Sequence, residues 1–414
     1  FTINSLSGWF FFTTRKISFM YSSYFKKISV VESSVKIAGG PVVANSIFPV
    51  FLFEKILYMK KLFTLILLTL ISISCTDNDT VDVGSEIIPD RNVYVAGYIV
   101  DASGNSTACY WLNGKRVDLG PGQLEDIVVS DGKVYAVGWT FGASASYWID
   151  NESFDLEGSG AEAYSIAVHD GDVYTAGRDD GACYWKNTTK NKLSGGDSSG
   201  YGIAIKENGD VFIGGYYMNN HHYVIPARWK NGNRSNLSKP SGGDGEVLDV
   251  KIYDGTPYFF GMSMAPNSML GYLPKASYWK GNTRNDMPNG GGWQKGIYGG
   301  ESYGGFVDET GVYVAGKIDW IGEVDDEGND IPGTGGTYAH YWHNGTKVDL
   351  LGGVFNDMWV STAYDVAVSD GYVVVTGDVA TETQTQVPAI WVNDVLIKLE
   401  GDNTHGVAKA VFID

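Results

Sequence analysis

A repeated strand phrase is the feature that most limits how this chain can fold. The phrase is five residues long, usually opens with Val-Tyr, and ends in Gly. Its seven copies occupy residues 93–97, 134–138, 173–177, 211–215, 257–261, 312–316 and 373–377. Each copy is followed by a Trp: Trp111, Trp148, Trp185, Trp229, Trp279, Trp342 and Trp391. After each Trp, a turn and a short segment end on Leu119, Leu156, Leu193, Leu237, Met287, Leu350 or Leu399. Such internal repetition predicts a repeat architecture.

An alternating segment and a tight turn precede the repeated phrase. In residues 166–172 and 366–372 the turn is Asp-Gly, which supplies the positive φ that a two-residue hairpin needs. Each unit then holds four strands in about 46 residues, which is typical of a β-propeller blade. The sequence therefore predicts an all-β fold, a seven-bladed β-propeller with four-stranded blades over residues 91–414.

The two ends of the repeat region complement each other. The first unit begins at its second strand, near Val93, whereas the chain ends in an unpartnered first strand over residues 408–413. We therefore predict that the C-terminal strand closes the first blade. Its removal is expected to expose a sheet edge and destabilise the ring.

Composition and charge agree with short strands and narrow the choice of partners. The chain has 54 Gly in 414 residues, with 14% aromatic and 19% charged residues, which argues against disorder and against a charged helical bundle. The formal net charge is −18. Nucleic acid and anionic bilayers attract proteins with a Lys/Arg surplus, so we expect no nucleic acid partner and no direct bilayer binding.

The segment before the repeats is predicted to be a leader and a tether. We expect residues 1–58, which lack the repeat and its turns, to be an untranslated or disordered extension. Residues 59–74 carry a dibasic start, an apolar run and a small residue before Cys75, and resemble a bacterial lipoprotein signal peptide. The resemblance implies cleavage before Cys75, an acyl anchor such as palmitate on that cysteine, and a tether over residues 75–90. A transmembrane helix is the alternative, but the apolar run is shorter than the roughly 20 residues that a span needs.

This leader predicts where the protein resides. We expect a chain held at the outer membrane by its lipid anchor alone, facing either the cell surface or the periplasm. The acidic segment that follows Cys75 is similar to the export signals of some surface-displayed lipoproteins.

Two stretches of the repeat region resemble a known extracellular repeat. Residues 108–119 contain an aromatic-Trp pair, Asn-Gly and Asp-Leu in that order, and residues 341–350 repeat the pattern. This combination is similar to the HAF repeat, and the likeness extends over residues 91–414. The resemblance implies a secreted or surface propeller, and it brings no catalytic residues to this chain.

Some recurring positions are best interpreted as structural. The seven Trp residues share one strand position, where large side chains pack between neighbouring units. Cys109 and Cys183 share another position two units apart, beyond the roughly 7 Å Cα separation that a disulfide allows, so we expect buried free thiols. His340 takes the same position as these cysteines in the sixth unit. We expect a structural histidine there, with a ligand-facing role as the alternative.

Long, variable connections gather on one predicted rim and supply the candidate binding residues. The loops after each second strand and between units emerge on the same face. The aromatic candidates on this rim are Trp293, Tyr298, Trp320, Phe355 and Trp359. Polar residues accompany them at Asn289, Gln294, Glu301 and Asp357. Such a surface suits a glycan or a protein, and the alternative is that these aromatics fasten the loops to the ring.

An acidic insertion in the sixth unit is a candidate calcium site. Its oxygen-bearing side chains are Asp325, Glu327, Asn329 and Asp330. Oxygen ligands at alternating positions beside a Gly suit Ca²⁺. The insertion lacks the full calcium-loop spacing and its distal Glu, so a solvated acidic loop is the alternative. We expect no other cofactor.

The sequence favours a binding or scaffold module over an enzyme. It contains no nucleophile motif, and its loop-rich face is predicted to meet a glycan or an envelope protein. The competing prediction is a polysaccharide-processing enzyme, which needs two carboxylates about 5 to 10 Å apart. Candidates for that pair are Asp179, Asp180, Glu301, Asp325 and Asp357. Buried, paired carboxylates would favour the enzyme, whereas an open aromatic shelf would favour binding.

Overall fold

The described part of the chain is built from β-strands. The computed structural model describes residues 87–88, 90–141, 145–267, 271–291, 297–320, 335–352, 354–355, 358–383, 385–401 and 405–414, and within these ranges it contains no helix. The strands are β1 (Val93–Val100), β2 (Ser106–Leu112), β3 (Lys115–Ser130), β4 (Lys133–Thr140), β5 (Ala145–Ile149), β6 (Glu152–Asp155), β7 (Glu162–His169), β8 (Asp172–Arg178), β9 (Ala182–Lys186), β10 (Thr189–Lys192), β11 (Ser198–Ile205), β12 (Val211–Met218), β13 (Val224–Lys230), β14 (Asn233–Asn236), β15 (Gly245–Tyr253), β16 (Thr256–Asn267), β17 (Gly271–Lys280), β18 (Thr283–Gly291), β19 (Ile297–Asp308), β20 (Gly311–Trp320), β21 (Gly336–His343), β22 (Thr346–Asp349), β23 (Val354–Phe355), β24 (Met358–Ser369), β25 (Tyr372–Ala380), β26 (Gln386–Val392), β27 (Val395–Lys398) and β28 (His405–Ile413). The predicted all-β class is confirmed.

Consecutive strands pair antiparallel, as the hairpin turns predict. Three sheets have four strands each, namely β7–β10, β11–β14 and β15–β18. In a seven-stranded sheet, β3 is shared, because its first half pairs with β2 and its second half with β4. A nine-stranded sheet joins β19–β22 to β23–β27 through a short parallel contact between β21 and β24. Four antiparallel strands are therefore the recurring unit of the fold.

The C-terminal strand pairs with the first strand of the repeat region. β28 lies antiparallel to β1, with Val93 opposite Ile413 and Val100 opposite His405. β1 also pairs with β2 on its other edge. The predicted partnership between the end of the chain and the first repeat is therefore present.

Asp-Gly and Asn-Gly pairs make the hairpin turns. Asp170 and Gly171 have φ values of 51° and 78°, and Asn113 and Gly114 have 50° and 83°. Two successive positive φ angles match the twist of a tight hairpin and explain why these residue types recur at the turns.

The seven repeated Trp residues form the core between repeats. Each is at most 2% exposed. In the described residues, the indole N–H donates to the carbonyl one residue after the Leu or Met of the preceding repeat. These bonds join Trp111 to Glu400, Trp185 to Glu157, Trp229 to Ser194, Trp279 to Ser238, Trp342 to Pro288 and Trp391 to Leu351, at 2.7–3.1 Å. Because buried donors are satisfied and the rings are enclosed, the structural interpretation of these Trp residues is confirmed.

The shared small-residue position is also structural. Cys109 and Cys183 are fully buried free thiols, and burial raises the pKa of both, that of Cys183 to about 12. His340 is 4% exposed, with Nδ1 3.0 Å from Oδ1 of Asp349. Burial lowers the pKa of this histidine. Low thiol reactivity and an enclosed imidazole agree with the expected structural roles.

Candidate functional site

Several of the candidate residues named above lie outside the described residues. This holds for Cys75, Trp293, Asp325, Glu327, Asn329, Asp330 and Asp357. The backbones of Tyr298, Phe355 and Trp359 lie in β19, β23 and β24. Trp320 ends β20 and packs, partly buried, against a core cluster that contains Ile318 and Trp342. The proposed aromatic shelf therefore stays a prediction.

The acidic candidates divide between two environments. Asp179 is 7% exposed and its carboxylate lies 2.6 Å from Nζ of Lys190. Asp180 is exposed and lies 3.3 Å from Nζ of Lys192. These two aspartates are paired to lysines of β10 in their own sheet. Glu301 lies instead in β19, the first strand of its repeat, beside residues that sequence reasoning had not selected.

The first strands of the repeats carry a shared irregularity. Each strand that pairs with the repeated Gly-ending phrase has a β-bulge opposite the Gly. The bulged residues are Lys409, Glu125, Tyr164, Tyr201, Leu248, Tyr303 and Tyr364 in repeat order, and we call them the bulge belt. A β-bulge re-aims one side chain relative to the pleat, so this position escapes the usual alternation.

The bulge explains why the repeated phrase ends in Gly. At Gly97, an added Cβ would lie 2.0 Å from the carbonyl oxygen of Val407 on the paired strand. The same approach, at 1.9–2.1 Å, occurs at all seven phrase-ending glycines. A side chain at this position would displace the backbone that forms the bulge, so only Gly fits.

Side chains of the bulge belt contact one another between neighbouring repeats. The rings of Tyr164 and Tyr201 lie 4.9 Å apart between centroids, and those of Tyr303 and Tyr364 lie 5.3 Å apart. Nζ of Lys409 lies 5.1 Å from the Tyr364 ring and 3.2 Å from Oε2 of Glu125. The belt thus combines aromatic faces with one ion pair.

Carboxylates flank the tyrosines of the belt. The Tyr164 hydroxyl donates to Glu162, and the Tyr303 hydroxyl donates to Glu301. Burial, followed by the carboxylate neighbours, raises the pKa of both phenols. Burial also raises the pKa of Tyr201 to about 12. These tyrosines are therefore neutral hydroxyl donors at physiological pH.

Glu246 and Asp378 are the carboxylates with raised pKa values beside the belt. Burial, with a smaller contribution from Glu301, raises the pKa of Glu246 to about 7. Burial raises the pKa of Asp378 to about 6, and the Tyr364 hydroxyl and the ammonium groups of Lys409 and Lys317 offset only part of that rise. Asp378 is 1% exposed, and neither of its oxygens accepts a hydrogen bond of good geometry from the described residues. In the folded protein, both groups carry a negative charge only at an energetic cost.

A second charged layer follows the belt by one residue along the strands. Asp126, Asp249 and Asp365 each accept a bond from the next backbone N–H and another from a neighbouring repeat. The cross-repeat bonds run from Ile166 N to Asp126, from Gly305 N to Asp249 and from Val411 N to Asp365, at 2.9–3.1 Å. This layer is a set of backbone-binding carboxylates that holds neighbouring first strands together.

Lys251 is the cation of that layer. Its Nζ lies 3.1 Å from Oδ2 of Asp249. Burial acts to lower its pKa, but Asp249, Asp365 and Asp126 outweigh burial and raise it. Burial raises the pKa of Asp365 to about 7 despite the lysine. The charge of one lysine therefore partly offsets that of three carboxylates, and we interpret this layer as structural.

Two classes of site find no support in the described ranges. No group of three or more His, Cys, Asp or Glu side chains there is arranged to hold a metal ion. No helix among those residues is both long enough and apolar enough to span a membrane.

The likenesses between this chain and the solved structures named here are remote. No family model and no curated protein sequence matches the chain. Among solved structures, a puromycin-hydrolyzing peptidase of Mycobacterium tuberculosis aligns at 10% identity and TM-score 0.48, over 75% of this chain and 53% of that one. The computationally designed Ika8 protein aligns at 15% identity and TM-score 0.36, over 69% and 89%. Apo AztD from Citrobacter koseri aligns at 11% identity and TM-score 0.30, over 78% and 98%.

The chain thus spans about half the length of the mycobacterial peptidase. Likenesses this remote carry no argument about what the chain binds or does. The functional interpretation depends on the chain's own residues.

Proposed function

We propose that residues 91–414 form a seven-bladed β-propeller whose first strands line a central channel. Contacts between the first and last repeats support closure of the ring. The Trp111 indole donates to the carbonyl of Glu400 at 2.7 Å, and Asp365 accepts from the backbone N–H of Val411 at 3.1 Å. β28, which follows the last repeat in the chain, also pairs with β1 of the first repeat.

In this architecture the protein is a non-enzymatic binding module for a glycan. The observation that carries the proposal is the bulge belt, where tyrosine rings of neighbouring repeats contact each other beside carboxylates. Aromatic faces pack against the apolar faces of sugar rings, and carboxylates accept hydrogen bonds from sugar hydroxyls. The loop aromatics named from the sequence, including Trp293 and Trp359, are further candidates for glycan binding. An envelope protein is the alternative partner.

The test is a glycan array probed with residues 76–414, with calcium and with EDTA. Hits are then measured by calorimetry for the wild type, Tyr164→Phe and Tyr303→Phe, since these changes keep the ring and remove the hydroxyl. Tyr253→Phe is the matched control, because Tyr253 ends β15 beside the tight β15–β16 turn, away from the loop-rich face. We expect array hits and about a tenfold loss of affinity in the belt variants, as for loss of a hydrogen bond worth about 1.4 kcal/mol. A blank array would overturn glycan binding and favour a protein partner.

A polysaccharide-processing enzyme is the competing proposal. It is favoured by Glu246, whose raised pKa of about 7 depends in part on Glu301. A carboxyl whose pKa is raised beside a second carboxylate is a feature of acid/base sites. Every glycan hit is therefore incubated with the protein and assayed for new reducing ends. Turnover that Glu246→Gln and Glu301→Gln both abolish would establish the enzyme and overturn the binding module.

Anchoring and calcium binding complete the proposed account. A lipoprotein anchored at the outer membrane through Cys75 should incorporate labelled palmitate, and Cys75→Ser should not. If calcium binds the acidic loop with Asp325, Glu327, Asn329 and Asp330, the protein should melt at a higher temperature in calcium than in EDTA. Equal melting temperatures would remove calcium from the account.

A further inference from the structure

Among the described residues beside the bulge belt, carboxylates outnumber the cations, which are Lys317, Lys409 and Arg178. Glu125 is paired with Lys409, 3.2 Å away. Lys317 lies 3.7 Å from Glu301 and 3.6 Å from Asp319. Both lysines therefore already have carboxylate partners.

Within the described residues, neither Glu246 nor Asp378 lies within ion-pair distance of a cation. In the described part of the chain, Glu246 forms no ion pair. Asp378 is 1% exposed, and although the Tyr364 hydroxyl lies beside it, neither of its oxygens accepts a hydrogen bond of good geometry from the described residues. The groups that influence it electrostatically include Tyr364 and Lys409, which are both belt residues, so its carboxyl faces the belt. Buried carboxylates without partners are costly, and a cation bound from outside would relieve that cost.

The surroundings of these carboxylates favour an organic cation over a metal ion. Glu246 lies on β15 and Asp378 on β25, with the β19–β22 repeat between them. No described cluster can chelate a metal. Pairs of tyrosines in tilted contact lie beside both acids, and aromatic faces attract ammonium groups. A ligand with several amines along its length could meet both carboxylates and the rings between them.

We propose that the belt selects glycans that carry free, protonated amines, with Glu246 and Asp378 as their counter-charges. This inference rests on the proposed glycan-binding function and names its substrate class. An amine that replaces the missing partner also favours the ionised carboxylates. Binding below about pH 7 therefore releases protons, because burial raises the pKa of Glu246 in the free protein to about 7.

The probes are a β-1,4-linked glucosamine trimer and the same trimer fully N-acetylated, titrated at pH 6. They share a skeleton and differ in charge. We expect at least tenfold tighter binding of the glucosamine trimer. We also expect proton release, measured as a dependence of binding heat on the ionisation enthalpy of the buffer.

The variants Glu246→Gln and Asp378→Asn should each weaken binding of the glucosamine trimer about tenfold and reduce the proton release. They should leave affinity for the acetylated trimer within twofold. Glu309→Gln is the matched control, because Glu309 lies exposed in the turn after β19. Melting curves of each variant establish that it is folded.

The outcomes separate this inference from the proposed function. Equal affinity for the two trimers, or a preference that both variants retain, would overturn the inference while glycan binding stands. Binding of a neutral array glycan but of neither trimer would do the same. Failure of every glycan on the array would overturn both.

Discussion

Replacing Glu246 by Gln should stabilise the protein at alkaline pH. The folded state raises the pKa of this carboxyl from 4.5 to about 7, mainly through burial. The folded chain therefore holds the proton more tightly than the unfolded chain. Stability contributed by the protonated group is present below about pH 4.5 and is lost as pH rises to about 7.

The magnitude follows from the size of the pKa shift. Each unit corresponds to about 1.4 kcal/mol, so ionised Glu246 costs about 3 kcal/mol of folding free energy at pH 8. Glutamine has the same shape and cannot ionise. We expect Glu246→Gln to exceed the wild type by up to about 3 kcal/mol at pH 8 and to differ little at pH 4.5.

Urea unfolding of residues 76–414, followed by Trp fluorescence at both pH values, measures this difference. Glu309→Gln serves as the control and should show no gain that depends on pH. An equal effect of Glu246→Gln at the two pH values, or a loss of stability at pH 8, would refute the reasoning. A gain in stability together with weaker amine binding would show a binding site that is maintained at the expense of stability.

Three further predictions concern the repeats. Trp391→Phe keeps the aromatic core but removes the 2.9 Å bond to the Leu351 carbonyl, and should cost about 1 to 2 kcal/mol in urea unfolding. Gly177→Ala places a Cβ 1.9 Å from the Glu162 carbonyl and should lower stability by more than about 3 kcal/mol, whereas an unchanged melting temperature would show that the bulge is not required. A chain that stops at residue 404 loses β28 and exposes the edge of β1, so it should melt far below the full chain or aggregate. Normal melting of that truncated chain would contradict the predicted role of the last strand.

The strands and their pairing were accessible from the sequence because they repeat. Asp-Gly turns, the Trp position and the unpartnered last strand each have a local physical reason, and the structure contains them. β3 differs from expectation, since it continues from one repeat into the next without a break. That the strand continues through Gly120-Pro121-Gly122 is difficult to predict, because Gly and Pro usually interrupt strands.

The bulge belt was not accessible by the same route. Its members are Tyr, Lys, Glu and Leu at one position of different repeats, so residue type alone does not group them. A bulge also shifts the alternation by one residue, which defeats a face assignment based on period two. The sequence does contain a usable signal, because each of the seven phrase-ending glycines lies opposite a bulge. Asp179 and Asp180 were candidates by loop position, but their pairing with Lys190 and Lys192 depends on the outer strands.

Closure of the repeats by β28 is the claim on which the channel and its belt depend. Amide hydrogen exchange of residues 405–413 in the wild-type protein tests it without a mutation. β28 pairs with β1, so alternate amides of this segment bond to β1, and the Val411 amide bonds to buried Asp365. The account predicts exchange as slow as in β1 and β24. Rapid exchange of this segment, as in a free chain end, while β1 and β24 stay protected, would contradict it.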